Sequence, residues 1–477
     1  MRCVARAGNT HYNWPVLRKL LYTLLLVIGF TGCASRLPAQ VPLVKPIAED
    51  EEVRISREFR RQAKKQLKLV RHPEIERYVD RIGRQLLSPM GPQPFDYRFF
   101  VVENSQLNAF AIPGGTIYVH SGLIEKVKST DELAGVVGHE IVHIKARHIA
   151  RISGPDPLSL LALLGVFLSG GGAQAQAAGA IGQALAATRQ LAYNRQLEQE
   201  ADALGVKYMA DAGYDPKAAL AFLRLIDQER VLNPVDLPPY LMTHPLSQER
   251  VTRVEAVVHS LRVGATKREA TDPIRKIQTL LRLERDEADG VIEQYARLLN
   301  QNAKSAEALH MLGLAYQYRS RWKEAREHLE RARAADPQSP GIDRDLGRLY
   351  TQMSEFGPAH DALERALGAE PKEPLNHLWL GELFEKEGKL SEAVLAFLRA
   401  HNLSPLWPEP AQRLGVVYGK MSRLGDAHYY LARSQLLADE DELALANLER
   451  ALKISGPNTL RGQLIADEIA AIKARRR

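Results

Sequence analysis

The C-terminal half of the chain repeats one pattern of small and apolar positions every 34 residues. Each unit has a leucine followed by a glycine, an aromatic residue three positions after that glycine, an alanine twelve positions after it, and a leucine or phenylalanine sixteen positions after it. The glycines of the four units are Gly313, Gly347, Gly381 and Gly415. Small residues let two helices cross closely and large apolar residues fill the remaining space, so the pattern predicts four stacked helix pairs.

This pattern resembles the tetratricopeptide repeat, in register over about residues 306–439. A proline closes the first three units, because proline ends the second helix of a pair, whereas Asp439 stands at that position in the fourth. Residues 287–302 predict a leading helix, and residues 441–454 predict a trailing helix that covers the last apolar face. We therefore expect an α-solenoid over 289–477 whose concave surface binds a protein partner or an extended peptide. A packing or dimerisation module without a client is the alternative.

In the N-terminal half, residues 130–150 have apolar residues at helical spacing and predict one helix with Thr130 as its N-cap. Residues 97–119 contain two runs rich in β-branched and aromatic residues, which predict strands joined by a turn.

Residues 18–33 place a basic pair before an apolar run that is too short to span a bilayer. That arrangement is typical of a secretory signal peptide over residues 1–32.

The stretch Phe30-Thr31-Gly32-Cys33 resembles a bacterial lipobox, which implies lipidation of Cys33 and cleavage before it. Residues 33–52 then form a tether, and Ala34 after the cysteine favours the outer membrane over the inner one. A soluble exported protein with an incidental cysteine is the alternative.

The composition, 45% hydrophobic and 25% charged over 477 residues, is typical of a globular protein with two or three domains and argues against a mostly disordered chain. The formal net charge is +7, and four of those charges lie within residues 1–32. The remaining excess is too weak to predict a nucleic-acid partner. The cysteines are Cys3 and Cys33, so cleavage before Cys33 leaves neither an intrachain disulfide nor a thiolate zinc site.

Within the predicted helix, residues 138–148 read GHEIVHIKARH and contain the spacing HExxH. Residues four apart on a helix share a face, so His139 and His143 can bind one metal ion. Glu140 lies about 100° round the helix, which suits a general base beside the ion. The spacing also arises by chance, and a catalytic zinc needs a third protein ligand. We expect His148, about 180° from His139 on the same helix, only to pack.

The stretch NRQLEQEADALG at 194–205 and the stretch NAFAIPGG at 108–115 resemble elements of the gluzincin zinc peptidases of the HtpX and CAAX-prenyl-protease type. The resemblance implies that Glu198 is the third zinc ligand and that Asp202 holds a ligating histidine in position. Glu200, the competing carboxylate, points about 160° away from Glu198. The resemblance also makes 108–115 a strand and turn to which an extended substrate can add.

The segment THPLSQER at 243–250 resembles a His-Pro segment of the same family. Two roles stay open for His244: donation to the developing oxyanion, or closure of the zinc site in a latent state. Arg250 is expected to anchor this loop or to contact the substrate, and an ordinary capped loop is the alternative for both residues. Residues 157–187 predict either a mobile lid or a buried helix.

The expected fold is mainly α, with an α+β zincin-like peptidase domain and small sheet at 53–260, a connecting helix or linker at 261–288, and the repeat domain. The combination resembles the periplasmic β-barrel assembly-enhancing proteases. It implies a peptidase with one Zn²⁺ per chain that degrades misfolded or stalled outer-membrane proteins, is lipid-anchored at the outer membrane, and has the assembly machinery as a candidate partner of the repeats. The alternative is a repeat-based scaffold or chaperone with a largely latent peptidase.

Overall fold

The computed structural model describes four stretches of the chain, residues 48–152, 195–234, 237–261 and 272–475. The predicted signal peptide, the lipidation site Cys33, most of the tether and the segment 157–187 lie outside the described residues. Within these stretches, no helix combines the length and the apolar character that crossing a membrane requires.

The elements are numbered here along the described residues. The peptidase half contains α1 (Glu49–Gln66), α2 (Pro73–Leu87), β1 (Arg98–Val102), β2 (Ala109–Ile112), β3 (Thr116–His120), α3 (Ser121–Lys126), α4 (Thr130–Lys145), α5 (His148–Ile152), α6 (Arg195–Asp211), α7 (Lys217–Leu232), α8 (Pro239–Thr243) and α9 (Gln248–Ser260). A short 3₁₀ helix follows α2 (Ser88–Met90). The rest contains α10 (Ile274–Glu284), α11 (Ala288–Gln301), α12 (Ala306–Tyr318), α13 (Trp322–Ala335), α14 (Pro340–Gln352), α15 (Phe356–Ala369), α16 (Pro374–Lys386), α17 (Leu390–Leu403), α18 (Pro408–Lys420), α19 (Leu424–Leu437), α20 (Asp441–Ser455) and α21 (Leu460–Arg475).

A three-stranded sheet with the strand order β1-β3-β2 lies in the peptidase half. The central strand β3 pairs parallel with β1 and antiparallel with β2, so β2 forms one edge of the sheet. Every residue of β2 and β3 is buried, and β2 packs against α4. The predicted fold class, mainly α with a small sheet, is confirmed.

The helices α4 and α6 cross closely because glycines lie at their contact. A Cβ atom on Gly205 of α6 would come within 3.2 Å of the backbone nitrogen of His139, and Gly138 of α4 faces the carbonyl of Gly205. Any larger residue at 205 would push the two helices apart. The close crossing sets Glu198 and Asp202 of α6 beside the histidines of α4.

The second half of the chain stacks helices in pairs, as the repeat pattern predicted. The four equivalent glycines each face the large apolar residue sixteen positions later. A Cβ on Gly313 would lie 2.6 Å from the side chain of Leu329, and one on Gly381 would lie 2.5 Å from that of Phe397. The small residue therefore receives the large one, which is the packing that the spacing indicated. A leading helix, α11, and two trailing helices, α20 and α21, flank the four pairs.

One hydrophobic core joins the peptidase half to the first repeat. It runs from the sheet and α4 through the buried face of α10 into α11 and α12. The helix α10 lies within the segment predicted to connect the two domains, and Ile274, Leu280 and Leu281 are among its buried residues. The two halves of the molecule therefore share packed apolar surface at this junction.

A second junction links the last repeat to the N-terminal helix, and we call it the α1–repeat interface (Ser56, Arg60, Thr116 and Asp439). Arg60 of α1 donates two hydrogen bonds of 2.7 Å to the carboxylate of Asp439, and both side chains are buried. Arg60 also donates to the hydroxyls of Ser56 and Thr116 at 3.0 and 2.9 Å. The aspartate that replaces the repeat's proline is therefore one of the residues that bind the repeat domain to α1, and Arg60 connects it to Thr116 of the sheet.

Candidate metal centre

The helix α4 carries the two histidines of the HExxH spacing on one buried face. Its N-cap is Ser129 and not the predicted Thr130, since the Ser129 hydroxyl accepts a hydrogen bond from the Glu132 N–H at 3.2 Å. Four residues of separation bring the Nε2 atoms of His139 and His143 to 2.9 Å from each other. Both rings therefore present a nitrogen to the same point.

Two further side chains converge on that point. A carboxylate oxygen of Glu198 from α6 lies 3.4 Å from His143 Nε2 and another lies 3.5 Å from His139 Nε2. The Nδ1 atom of His244, just after α8, lies 3.1 Å from Glu198 and 3.3 Å from His139 Nε2. Each of these four buried residues offers one ligand atom, and the four atoms lie within 4.8 Å of one another.

The chemistry of this donor set fits a zinc ion. Imidazole nitrogens and one carboxylate oxygen are ligands that zinc uses in proteins. Burial lowers the pKa of His143 well below its ordinary value, which favours the neutral form that ligates. Burial also opposes a charge on His139, but hydrogen bonds with Asp202 and Glu198 outweigh it and raise the pKa of His139 to about 10. The two carboxylates thus favour a positive charge between them.

Glu140 lies beside this group and points to the sheet. It is 1% exposed, and burial raises the pKa of its carboxyl group. Its carboxylate accepts a hydrogen bond from the backbone of Ala111 in the edge strand β2, and Oε1 lies 3.3 Å from His244 Nε2. A buried carboxyl with a raised pKa, next to the candidate metal ligands, has the properties of a general base.

A buried ion pair holds His139. The Nδ1 atom of His139 lies 3.0 Å from the carboxylate of Asp202. Arg250 of α9 donates two hydrogen bonds of 2.8 Å to the same carboxylate and a third, at 3.0 Å, to the carbonyl of Pro245. Arg250 Nη1 also lies 3.1 Å from Glu198. The arginine thereby ties the His244 loop to two acidic residues of α6.

The prediction of one helix over residues 130–150 is wrong. The helix α4 ends at Lys145, Arg147 adopts a left-handed φ of 55°, and His148 begins the separate helix α5. His148 therefore does not lie opposite His139. Its Nδ1 atom lies 3.0 Å from Nδ1 of His143, and its Nε2 atom lies 3.2 Å from Glu200.

Sequence reasoning also missed Tyr240. Its ring packs against that of His244 with 4.6 Å between ring centroids, and it is 2% exposed. The tyrosine stands four residues before His244 across the short helix α8, and no motif marks it. The imidazole of His244 therefore packs against a buried aromatic ring.

The structure thus brings together all the site residues predicted in the peptidase half. These are His139, Glu140, His143, Glu198, Asp202, His244 and Arg250. Glu200 lies outside the donor set, as predicted from its direction on the helix, and contacts His148 instead. Cys33 lies outside the described residues.

Comparison with known protein families matches both halves of the chain. Residues 71–258 match the model of peptidase family M48. Residues 317–375 match a tetratricopeptide repeat model. Residues 393–459 match a model described as an Est1 DNA/RNA binding domain, over the helices that continue the same stacked pairs from α17 to α20.

Curated relatives carry related names. The β-barrel assembly-enhancing protease of Escherichia coli is 32% identical over 208 residues, which cover 42% of this chain and 42% of the relative. The protein of that name from Yersinia pestis is 33% identical over 211 residues, which cover 43% of each chain. The mitochondrial metalloendopeptidase OMA1 of Schizosaccharomyces pombe is 30% identical over 197 residues, which cover 41% of this chain and 56% of the relative.

The chain spans about half the length of the curated relatives it matches. The M48 match includes every residue of the donor set, and the repeat match lies within the stacked helix pairs. The chain therefore carries a metallopeptidase domain of family M48, followed by tetratricopeptide repeats.

Proposed function

We propose that this protein is a zinc-dependent endopeptidase of the bacterial cell envelope that degrades or processes misfolded or stalled outer-membrane proteins. The observation that carries the proposal is the convergence of His139, His143 and Glu198 on one point with Glu140 beside them. A bound Zn²⁺ supplies Lewis-acid polarisation of a water molecule and of the substrate carbonyl. The remaining chemistry belongs to the side chains of this chain.

Glu140 is the general base in this proposal. Its carboxylate accepts a proton from the attacking water, the water oxygen bonds to the carbonyl carbon of the substrate, and the C–N bond breaks as Glu140 returns the proton to the departing amine. Burial raises the pKa of Glu140, which brings the proton affinity of the carboxylate closer to that needed near neutral pH. Arg250 and Asp202 orient the site and take no proton.

The edge of β2 that no other described strand pairs with is the proposed position of the substrate main chain. The carbonyl of Asn108 accepts a hydrogen bond from His120 of β3, and alternate residues of a strand direct their main-chain groups to opposite sides. Ala109 and Ala111 therefore direct theirs away from β3, and Ala111 contacts Glu140. An extended segment paired along this edge places a carbonyl near Glu140, which selects unfolded over folded protein.

His244 favours a resting state of low activity. A catalytic zinc site keeps three protein ligands and an open position, whereas four ligand atoms converge here. We propose that His244 closes the site until a substrate or partner displaces its loop. This geometry also supports the alternative function, a repeat-based scaffold or chaperone for outer-membrane protein assembly whose peptidase is mostly latent.

The repeat domain supplies a second binding region in this proposal. A cavity of about 480 Å³ lies between α2, α10 and the first helices of three repeats, and its lining includes Arg77, Lys276, Arg344 and Glu373. We propose that it receives a charged segment of an unfolded substrate or of an assembly partner. Met311 of α12 also lines the cavity. Filling the cavity with Met311→Trp should weaken binding of an unfolded protein while cleavage of a short peptide is kept. Unchanged binding of the unfolded protein would remove the cavity from the proposal.

The location rests on the leader-like N-terminus and on the names of the bacterial relatives. We propose export, lipidation at Cys33 and attachment to the inner leaflet of the outer membrane. Labelling of growing cells with a fatty-acid analogue should modify the wild-type chain and not Cys33→Ser. Equal labelling of both, or of neither, would contradict the lipid anchor.

The test of the central proposal is Glu140→Gln in the full-length chain. We expect proteolysis of an unfolded protein to fall by about 10²–10⁴-fold, because the base is lost, while zinc content stays that of the wild type. Expressed in a strain that lacks the gene, the variant should accumulate uncleaved substrates that can be identified by mass spectrometry. Full rescue of the strain by Glu140→Gln would favour the scaffold over the peptidase, and full proteolysis by it would refute the assignment of the base.

A further inference from the structure

The two candidate metal-binding histidines of α4 are held in different ways. His139 turns its second nitrogen to the carboxylate of Asp202. His143 turns its second nitrogen, Nδ1, to another imidazole, the Nδ1 atom of His148, at 3.0 Å. Neither the HExxH spacing nor the spacing of Glu198 and Asp202 assigns a function to His148.

Binding of a metal ion by His143 would require one proton arrangement along this contact. His143 Nε2 faces the candidate metal position, so that atom must carry a lone pair, and Nδ1 then carries the proton of the neutral ring. That N–H donates to Nδ1 of His148, which must therefore be an acceptor. The proton of the neutral His148 ring then lies on Nε2, which donates to the carboxylate of Glu200 at 3.2 Å. The chain of contacts runs from Glu200 through His148 to His143.

The backbone between the two histidines is shaped for this contact. Arg147 has a φ of 55°, a region that non-glycine residues seldom adopt, and α4 accordingly ends at Lys145, three residues before His148. The guanidinium of Arg147 donates to Glu52 of α1, which is 1% exposed. This tertiary ion pair stabilises the turn, so His148 folds back against α4 and is itself 1% exposed.

We propose that His148 and Glu200 are positioning residues that hold His143 in its metal-binding tautomer and orientation. The proposal rests on the proposed zinc function of His143. His148 acts as a neutral acceptor for the ligand histidine, and Glu200, whose side chain is 42% exposed, orients His148 from the surface. The proposed ligand His139 contacts the carboxylate of Asp202, which is itself bound by the buried Arg250. The proposed ligand His143 depends instead on contacts through His148 to the half-exposed Glu200.

The main experiment measures zinc affinity by competition with a chelator in the full-length chain. His148→Phe keeps a ring of similar size but removes the acceptor, and we expect zinc to bind about 10–100-fold more weakly. His148→Asn places an amide oxygen where Nδ1 stood, and we expect its affinity to return to within a few-fold of the wild type. Wild-type affinity in His148→Phe would overturn the proposal.

Surface variants decide the outcome if His148→Phe does not fold. Glu200→Ala should weaken zinc binding measurably, whereas Glu200→Gln, which still accepts a hydrogen bond, should not. Arg151→Ala is the matched control, because Arg151 lies 3.8 Å from the same carboxylate but contacts no candidate ligand. Equal zinc affinities in Glu200→Ala and Arg151→Ala would overturn the proposal.

The tautomer can be observed directly. In protein labelled with ¹⁵N-histidine, zinc addition should leave His148 a neutral ring protonated on Nε2 and His143 a ring protonated on Nδ1. If His148 were protonated on Nδ1 in the zinc-loaded protein, the proposal would be contradicted. A wild-type chain that binds no zinc would instead refute the proposed function, so the two failures are distinguishable.

Discussion

The metal centre and the α1–repeat interface are both buried clusters of charged and polar groups, but their donors and acceptors are arranged in opposite ways. At the interface, the guanidinium of Arg60 meets the carboxylate of Asp439, and every contact joins a donor to an acceptor. At the metal centre, the Nε2 atoms of His139 and His143 face each other at 2.9 Å beside the carboxylate of Glu198.

The difference separates a structural cluster from a ligand site. Burying a polar group costs free energy unless a partner compensates it, and the interface supplies that partner within the chain. At the candidate metal centre, imidazole nitrogens and a carboxylate oxygen face one another, and a bound cation would be the partner that satisfies them all. Burial and charge do not distinguish the two clusters. The arrangement of their donors and acceptors does.

The largest expected effect is on the interface. Asp439→Asn keeps the shape of the side chain and tolerates the left-handed φ of 54° at that position, but removes the charge opposite Arg60. Breaking a buried ion pair costs about 3–5 kcal/mol, so we expect hydrogen exchange of α1 and α19 amides to accelerate by at least about 100-fold while zinc affinity is unchanged.

Asp441→Asn is the matched control, because Asp441 pairs with Arg61 nearer to solvent. We expect its effect to stay below about 1 kcal/mol. Equal hydrogen exchange in the two variants would show that Asp439 is not what holds the last repeat. Burial raises the pKa of Asp439, but hydrogen bonds from Arg60 outweigh it and leave the pKa below its ordinary value. The stabilisation should therefore be complete at neutral pH and be lost as pH falls through the folded-state pKa.

The reciprocal change is Asp202→Asn at the metal centre. The amide of asparagine keeps an acceptor for His139. It lacks the negative charge that the two donors of Arg250 contact in the wild type. We expect zinc to bind about 10–100-fold more weakly, while α1 exchanges as in the wild type. Asp211→Asn, at the exposed end of the same helix, should change neither quantity. A loss of protection in α1 that accompanies Asp202→Asn would show that the two clusters are coupled.

The smallest expected effect concerns Glu76 of α2, which lies near the α1–repeat interface. Burial raises the pKa of Glu76 to about 7, and its carboxyl group contacts the indole of Trp407. As pH rises from the ordinary value of a glutamate towards 7, the unfolded chain releases this proton before the folded chain does, so folding loses stability. Glu76→Gln should therefore stabilise the protein more at pH 8 than at pH 5. The difference in the free energy of unfolding should be on the order of 1 kcal/mol. The midpoint of urea unfolding measures this, with Glu255→Gln on the surface of α9 as control; an equal gain at both pH values would contradict the shift.

The repeat architecture was predictable because its packing is local and periodic. The contact between Gly313 and Leu329 joins residues sixteen apart and recurs in every unit, so spacing alone reveals it. The role of Asp439 was not predictable in this way. Its departure from the repeat pattern is visible in the sequence, but its partner Arg60 is 379 residues distant, and only the folded chain brings them together.

The same distinction holds at the metal centre. Helical spacing placed His139 beside His143 and Glu198 beside Asp202, and the structure has both pairs on one face. The end of α4 was predicted wrongly, since neither glycine nor proline marks it. The left-handed backbone at Arg147 is stabilised by Glu52, a contact across 95 residues, and the direction of His148 follows from that contact.

The most direct test of the account is the metal content of the purified full-length chain after exposure to zinc and dialysis. We expect one zinc per chain in the wild type, in Glu140→Gln and in Asp439→Asn, and a content near zero in Glu198→Gln, which lacks the carboxylate ligand. A wild-type chain that retains no zinc, or a Glu198→Gln chain that retains as much as the wild type, would contradict the account.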